Sequence, residues 1–182
     1  RMTFVMLGIV LGIFSAIIAV VFIGAATVSD QITIEHSRSI DLPPPLIWEQ
    51  VERPTNWSQW DAWIGRIERT ENADDGSERY TSTLMMGTTE VPAVHRLRER
   101  VEGQLISWHV VLTPGSAMTN VTQGLRLEEE GEGTRATYTI TYTLPSMTAR
   151  ALHAVMLVHG IKEIARKALE NLEAVAREGD LN

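Results

Sequence analysis

From Thr134 to Leu144 the chain alternates without a fault. Ala136, Tyr138, Ile140, Tyr142 and Leu144 fall on one phase, and Thr137, Thr139, Thr141 and Thr143 on the other. A period of two marks a strand with one buried and one wet face. The same pattern, less clean, recurs at Gln31–Asp41, Ile64–Thr70, Arg79–Met86, Glu90–Val101, Leu105–Leu112 and Asn120–Glu130. Short turn signals separate the last six runs: Asp75-Gly76, Gly87, Glu102-Gly103, Thr113-Pro114-Gly115-Ser116 and Gly131-Glu132-Gly133. Connections this short join antiparallel neighbours. Pro145 ends the series, and Ser146 or Thr148 can cap a helix reaching about Glu178. Ile161, Ala165, Ala168, Leu172 and Val175 form its apolar stripe. An antiparallel sheet with one apolar face needs a cover, and this helix is the long amphipathic element on offer.

The stretch from Ile32 to Trp63 adds a signature. Ile32, Ile34 and Ile40 share a phase; Pro43, Pro44 and Pro45 then stop the strand, having no N–H for a ladder. Leu46–Glu52 reads as a short helix. Trp57, Trp60 and Trp63, three apart, are placed to share one side of a second helix over Asn56–Trp60 and beyond. Ile40, Pro43, Pro44, Ile47, Trp48, Trp57 and Trp60, in this order, resemble the START-like or SRPBCC superfamily, which includes polyketide cyclases, lipid-transfer domains and birch-pollen-type allergens. The resemblance implies an α+β helix-grip fold: a curved antiparallel sheet wrapped around a long C-terminal helix, with a cavity between them. It covers nearly all of residues 31–178, so the domain is expected at 30–182.

Residues 2–28 carry no charge. About 24 apolar or small residues at about 1.5 Å each give roughly 36 Å, enough to cross a hydrocarbon core of about 30 Å. A single transmembrane anchor helix over residues 1–29 is therefore expected. A signal peptide, with a small-x-small site at Gly24-Ala25-Ala26, is the alternative, but the run exceeds a typical apolar core of such a peptide. Gly8, Gly12 and Ala16 lie four apart and would let another membrane helix approach closely. Arg1 on one flank and Asp30 and Glu35 on the other place the domain on the extracytoplasmic (periplasmic) side.

No catalytic set emerges. The absence of cysteine excludes thiol chemistry and disulfides, and the net charge of −7 argues against nucleic acid as a partner. His36, His95, His109, His153 and His159 show no metal-ligand spacing. No cofactor and no metal are expected. The candidate lining of the cavity is Trp60, Trp63, Tyr80, His95, Trp108, Tyr138, Tyr142 and Met156; the same residues would equally fill a core. By phase, His36 and Arg38 point inward with Ile32 and Ile34, and Glu99 points inward with His95 and Leu97. Ala151–Ile161 is apolar nearly all round, which marks a helix covered on all sides, and Gly160 within it marks a kink or a close contact.

These readings lead to a membrane-anchored, non-catalytic START-like domain that binds an apolar small molecule or lipid, with the bilayer and another transmembrane protein as partners. One alternative is an accessory structural subunit of a larger membrane complex, respiratory or photosynthetic. A second is a polyketide cyclase-like enzyme.

Overall fold

The computed structural model describes residues 14–16, 18–24, 26–27, 29–72, 78–86, 88–153 and 157–180. Seven strands form one antiparallel sheet: β1 (Gln31–Ile40), β2 (Ile64–Asn72), β3 (Glu78–Met86), β4 (Thr89–Val101), β5 (Leu105–Leu112), β6 (Thr119–Glu130) and β7 (Gly133–Thr143). Their order across the sheet is β1-β7-β6-β5-β4-β3-β2. Each hairpin therefore pairs neighbours in sequence, and only β1 crosses over, to pair with β7. Two short helices, α1 (Pro44–Val51) and α2 (Trp57–Trp60), link β1 to β2. After β7 come α3 (Met147–Leu152) and α4 (Val158–Asp180). This is the helix-grip-like arrangement of a curved sheet closed by a C-terminal helix.

The alternation in β7 translates directly into burial: Ala136, Tyr138, Ile140 and Tyr142 are fully enclosed, while Arg135 is exposed. Along α4, Ile161, Ala165, Ala168, Leu169, Leu172 and Ala176 are buried. Val175, expected in the stripe, is only half-buried, and Ala176 takes the inward place. The small alanines let the helix lie close to the sheet and to α1. Arg38 of β1 reaches across to Glu173 at 2.6 Å and Glu170 at 3.8 Å. Thus Arg38 does lie on the helix side, as its phase implies, and it ends in an ion pair at the rim of the core.

Three expectations need correction. Trp63 is not on a helix with Trp57 and Trp60: α2 ends at Trp60, and a turn at Asp61 swings Trp63 into the core. Glu99 does not face inward. A bulge between Leu97 and Glu99 shifts the β4–β5 register, turning Glu99 out and bringing Arg100 to Glu78 at 3.2 Å. Gly160, expected to mark a kink or close contact, is exposed, with nothing within 4 Å of where a Cβ would sit.

Among the described residues no helix is long and apolar enough to cross a membrane. The span expected over 1–29 falls largely on residues outside that set, including Gly8 and Gly12. Ala16 is described, helical and exposed.

One glycine is demanded by the sheet closure. A Cβ on Gly133, where β7 starts, would sit 2.5 Å from the Ile40 carbonyl oxygen. Gly133→Ala is expected to cost about 1–3 kcal/mol through forced backbone movement, read as a fall in the urea midpoint with an unchanged slope.

Candidate functional site

The inner face of β3, β4 and β5 is built around aromatic rings carried in by α2. Pro54 starts a single tight turn that leads into α2 and sets Trp57 and Trp60 on the core side. Trp57 donates its Nε1–H to the Val51 carbonyl at 2.7 Å, and Trp60 donates to the Gln50 carbonyl at 3.3 Å, fastening α2 to the end of α1. The Trp57 ring then stacks on Trp108 of β5, with centroids 4.6 Å apart and planes 14° from parallel. Tyr80 of β3 meets Trp57 edge-on at 5.1 Å.

His95 of β4 lies in this nest, 6.1 Å from Trp57 and 6.4 Å from Trp108. It is wholly buried, and neither ring nitrogen has a hydrogen-bond partner among the described residues. Burial pushes its pKa down to about 4, so at neutral pH the ring is uncharged, with one N–H donor and one bare acceptor. Tyr80 is its cross-strand partner, and Ser82 lies two residues along the same face. Ser82 Oγ is likewise fully buried and unpaired among the described residues. A buried polar group without a partner costs about 1–3 kcal/mol, so two on one apolar wall call for a physical reason.

A second polar group on the same inner surface is fully satisfied. Asp61 is 1% exposed. Its Oδ2 accepts from the Tyr138 hydroxyl at 2.6 Å and lies 3.4 Å from Gln123 Nε2. Its Oδ1 accepts from the Trp63 backbone N–H at 2.9 Å. Gln123 donates to the Tyr138 oxygen at 2.7 Å and accepts from Trp108 Nε1–H at 2.6 Å. Burial raises the Asp61 pKa from 3.8 to about 6, against the lowering effect of the Tyr138, Trp63 and Ile64 hydrogen bonds. Burial, and then the Asp61 charge, holds the Tyr138 phenol well above its ordinary range. The network pins the turn after α2 to the middle of the sheet. Every member is enclosed and paired, so it reads as a structural clasp.

Further along, Tyr142 and His153 share a hydrogen bond of 2.6 Å between OH and Nε2, both buried, with His153 Nδ1 unpaired among the described residues. Desolvation, then Lys162, lowers the His153 pKa.

Seven of the eight residues expected to line a cavity, namely Trp60, Trp63, Tyr80, His95, Trp108, Tyr138 and Tyr142, face the interior and are at most 3% exposed. The eighth, Met156, lies outside the described residues. The structure gathers Tyr80, His95 and Trp108 around Trp57, and Trp60, Trp63 and Tyr138 around Asp61. The sequence reading missed Asp61, Gln123 and Ser82. The sole signal for Asp61 was a lone acid between two tryptophans. Gln123 was visible as a polar residue in the apolar phase of β6. His36 is half-buried at the β1 edge, opposite Tyr138 in register. A polar trough of about 410 Å³ lies on the opposite, outer face, between residues such as Glu35, Glu99, Arg126 and Thr139. No group of three or more potential metal ligands occurs among the described residues.

A family model described as polyketide cyclase / dehydrase and lipid transport matches residues 31–177. No curated protein matches the chain. Among solved structures, a protein from Thermus thermophilus aligns with a TM-score of 0.65 at 16% identity, covering 81% of this chain and 98% of that one. The Zhui aromatase/cyclase from a Streptomyces species aligns with a TM-score of 0.62 at 13% identity, covering 81% and 94%. The di-domain ARO/CYC StfQ from the steffimycin biosynthetic pathway aligns with a TM-score of 0.65 at 11% identity, covering 81% of this chain and 51% of that one. At such identities the likeness concerns the fold.

Proposed function

The chain belongs to the polyketide cyclase / dehydrase and lipid transport family, and from that membership we propose that it takes an apolar, partly oxygenated small molecule into the interior beside Trp57, Tyr80, His95 and Trp108. The observation that carries this reading is His95, an uncharged imidazole with both nitrogens unpaired among the described residues of an aromatic nest, with Ser82 unpaired nearby on the same wall. A ligand carbonyl or hydroxyl would satisfy these groups while its rings or chain replaced apolar contacts. His95→Phe keeps the shape and removes both nitrogens. It is expected to leave the fold intact and to weaken binding of oxygenated aromatic ligands by about tenfold or more, equivalent to one lost hydrogen bond of about 1.5 kcal/mol. Competition against anilinonaphthalene sulfonate fluorescence, with native mass spectrometry of the purified protein, measures it. Equal binding by His95→Phe would remove His95 from the site.

A second reading, a cyclase-like enzyme, is favoured by the same neutral imidazole, whose free nitrogen can accept a proton from a bound chain. Under that reading His95→Gln retains ligand and loses turnover; under the binding reading no turnover exists to lose.

We also propose that residues 2–28 tether the domain to a membrane. Its support is the uncharged run together with the exposure of Phe14, Ile18, Val20, Phe22 and Ile23 in the helical part described. The full chain is expected to stay with the membrane pellet through an alkaline carbonate wash; release into the supernatant would end the tether reading.

A further inference from the structure

The two ends of the sheet differ in charge, and the difference is aligned with where the chain enters. Gln31 pairs with Thr143, and the Leu144 N–H donates to the Asp30 carbonyl at 2.7 Å. The segment before β1 and the segment after β7 therefore emerge at one end. Thr119 also pairs with Thr143, and Leu112 closes β5 beside Ala93, so the 113–118 connection lies at this end as well. Across 113–118 and 144–152 the sole charged residue is Arg150, and the acids at this end are Asp30 beside the entering chain and Glu90 at the start of β4. Met147 and Leu152 of α3 are 40% and 39% exposed there, flanked by exposed Pro114, Pro145 and Thr148. At the opposite end, where β4 turns into β5 and β6 into β7, stand Glu102, the Glu128–Glu130 run, Glu132 and, after β1, Asp41.

We propose that the neutral end, formed by α3 and the 113–118 connection, rests on the lipid bilayer, so that the sheet stands end-on with its acidic end directed away. The inference builds on the membrane tether proposed above. Only Ser29 and Asp30 separate the uncharged run from β1, and two residues span at most about 7 Å. A run held in lipid thus brings this end of the domain, and no other, to the headgroups. Met147 and Leu152 are apolar side chains suited to the headgroup boundary, Thr113, Ser116, Ser146 and Thr148 supply hydroxyls for it, and the acidic end would be repelled by anionic lipid. The partner is a lipid surface, not a protein, because the face is small, nearly uncharged and continuous with the segment that enters the bilayer.

The chain has no cysteine, so single cysteines label cleanly. The full chain is reconstituted in phosphatidylcholine vesicles as Met147→Cys, Leu152→Cys and Ser116→Cys, with Glu102→Cys and Glu132→Cys at the far end, each carrying a polarity-sensitive dye. The first three are expected to blue-shift and to lose fluorescence to spin-labelled lipid; the last two are expected to do neither. If the protein floats with the vesicles but all five labels behave alike, the docking proposal falls and the tether stands. If the protein does not float, both fall. If the near-end labels are shielded in native membranes but not in pure lipid, a protein covers this face and the lipid assignment is wrong. Met147→Glu combined with Leu152→Glu is expected to abolish the shift at Ser116→Cys without releasing the protein from vesicles.

Discussion

Trp57→Ala is expected to remove about 4 kcal/mol of stability, out of the roughly 5–15 kcal/mol typical of a domain. The indole is fully enclosed, stacked on Trp108 and edge-on to Tyr80. Truncation opens a cavity at the junction of α1, α2 and the sheet, a change worth about 3–5 kcal/mol for a buried tryptophan, and it forfeits an aromatic pair of about 1 kcal/mol. It also strips the Val51 carbonyl of the indole N–H that it accepts at 2.7 Å. Thr139→Ala, on the outer face of β7, is the comparison, expected within about 0.5 kcal/mol of the parent. Urea denaturation followed by circular dichroism measures both. If Trp57→Ala proves no more costly than Thr139→Ala, the aromatic nest is not the centre of the core.

The second large effect is a pair of opposed pH dependences. Asp61 has a folded pKa of about 6 against an ordinary 3.8. Between those values the folded protein keeps a proton that the unfolded chain has released. Raising the pH through that window strips it, so the Asp61 contribution is best below 3.8 and lost by about 6. His95 runs the other way, with a folded pKa of about 4 against 6.5. Between those values the unfolded chain takes up a proton that the folded protein refuses, so stability is full above 6.5 and lost as the pH falls to about 4. A gap of about two pH units corresponds to about 3 kcal/mol in each case. In the shared window from about 4 to 6 the two offset each other, and the parent is expected to show a shallow profile. Asp61→Asn removes one arm, so stability should drop steeply as the pH falls from 6.5 to 4. His95→Phe removes the other, so stability should climb as the pH falls from 6 to 3.8. Urea midpoints taken from pH 4 to 7 report both slopes. Parallel profiles for the parent and Asp61→Asn would show that Asp61 titrates normally and is not enclosed by Tyr138, Gln123 and Trp63.

The site was less legible than the fold. Tyr80, His95 and Trp108 could be placed on an inward phase because the alternation of β3, β4 and β5 is regular where they stand. Glu99 was misplaced because one bulged residue reverses every side chain beyond it, and nothing local distinguishes Arg98 as that residue. Asp61 could not be found, since its neighbours Gln123 and Tyr138 lie 62 and 77 residues away along the chain. A lone carboxyl in a turn looks the same whether it is solvated or clasped.

The chain's own pattern was sufficient for most of the architecture: six period-two runs joined by short turns form antiparallel neighbours, and one apolar face needs the one long amphipathic helix, while the pairing of β1 with β7 came from the tertiary structure. The first two are consequences of backbone hydrogen bonding and of keeping apolar surface from water, and both operate over a few residues. Tertiary structure alone decided which polar groups end up paired. Among the described residues Asp61 is held by Tyr138, Gln123 and the Trp63 and Ile64 backbone, and His95 by none, because pairing depends on distances across β4, β5, β6 and β7 that no stretch of sequence contains.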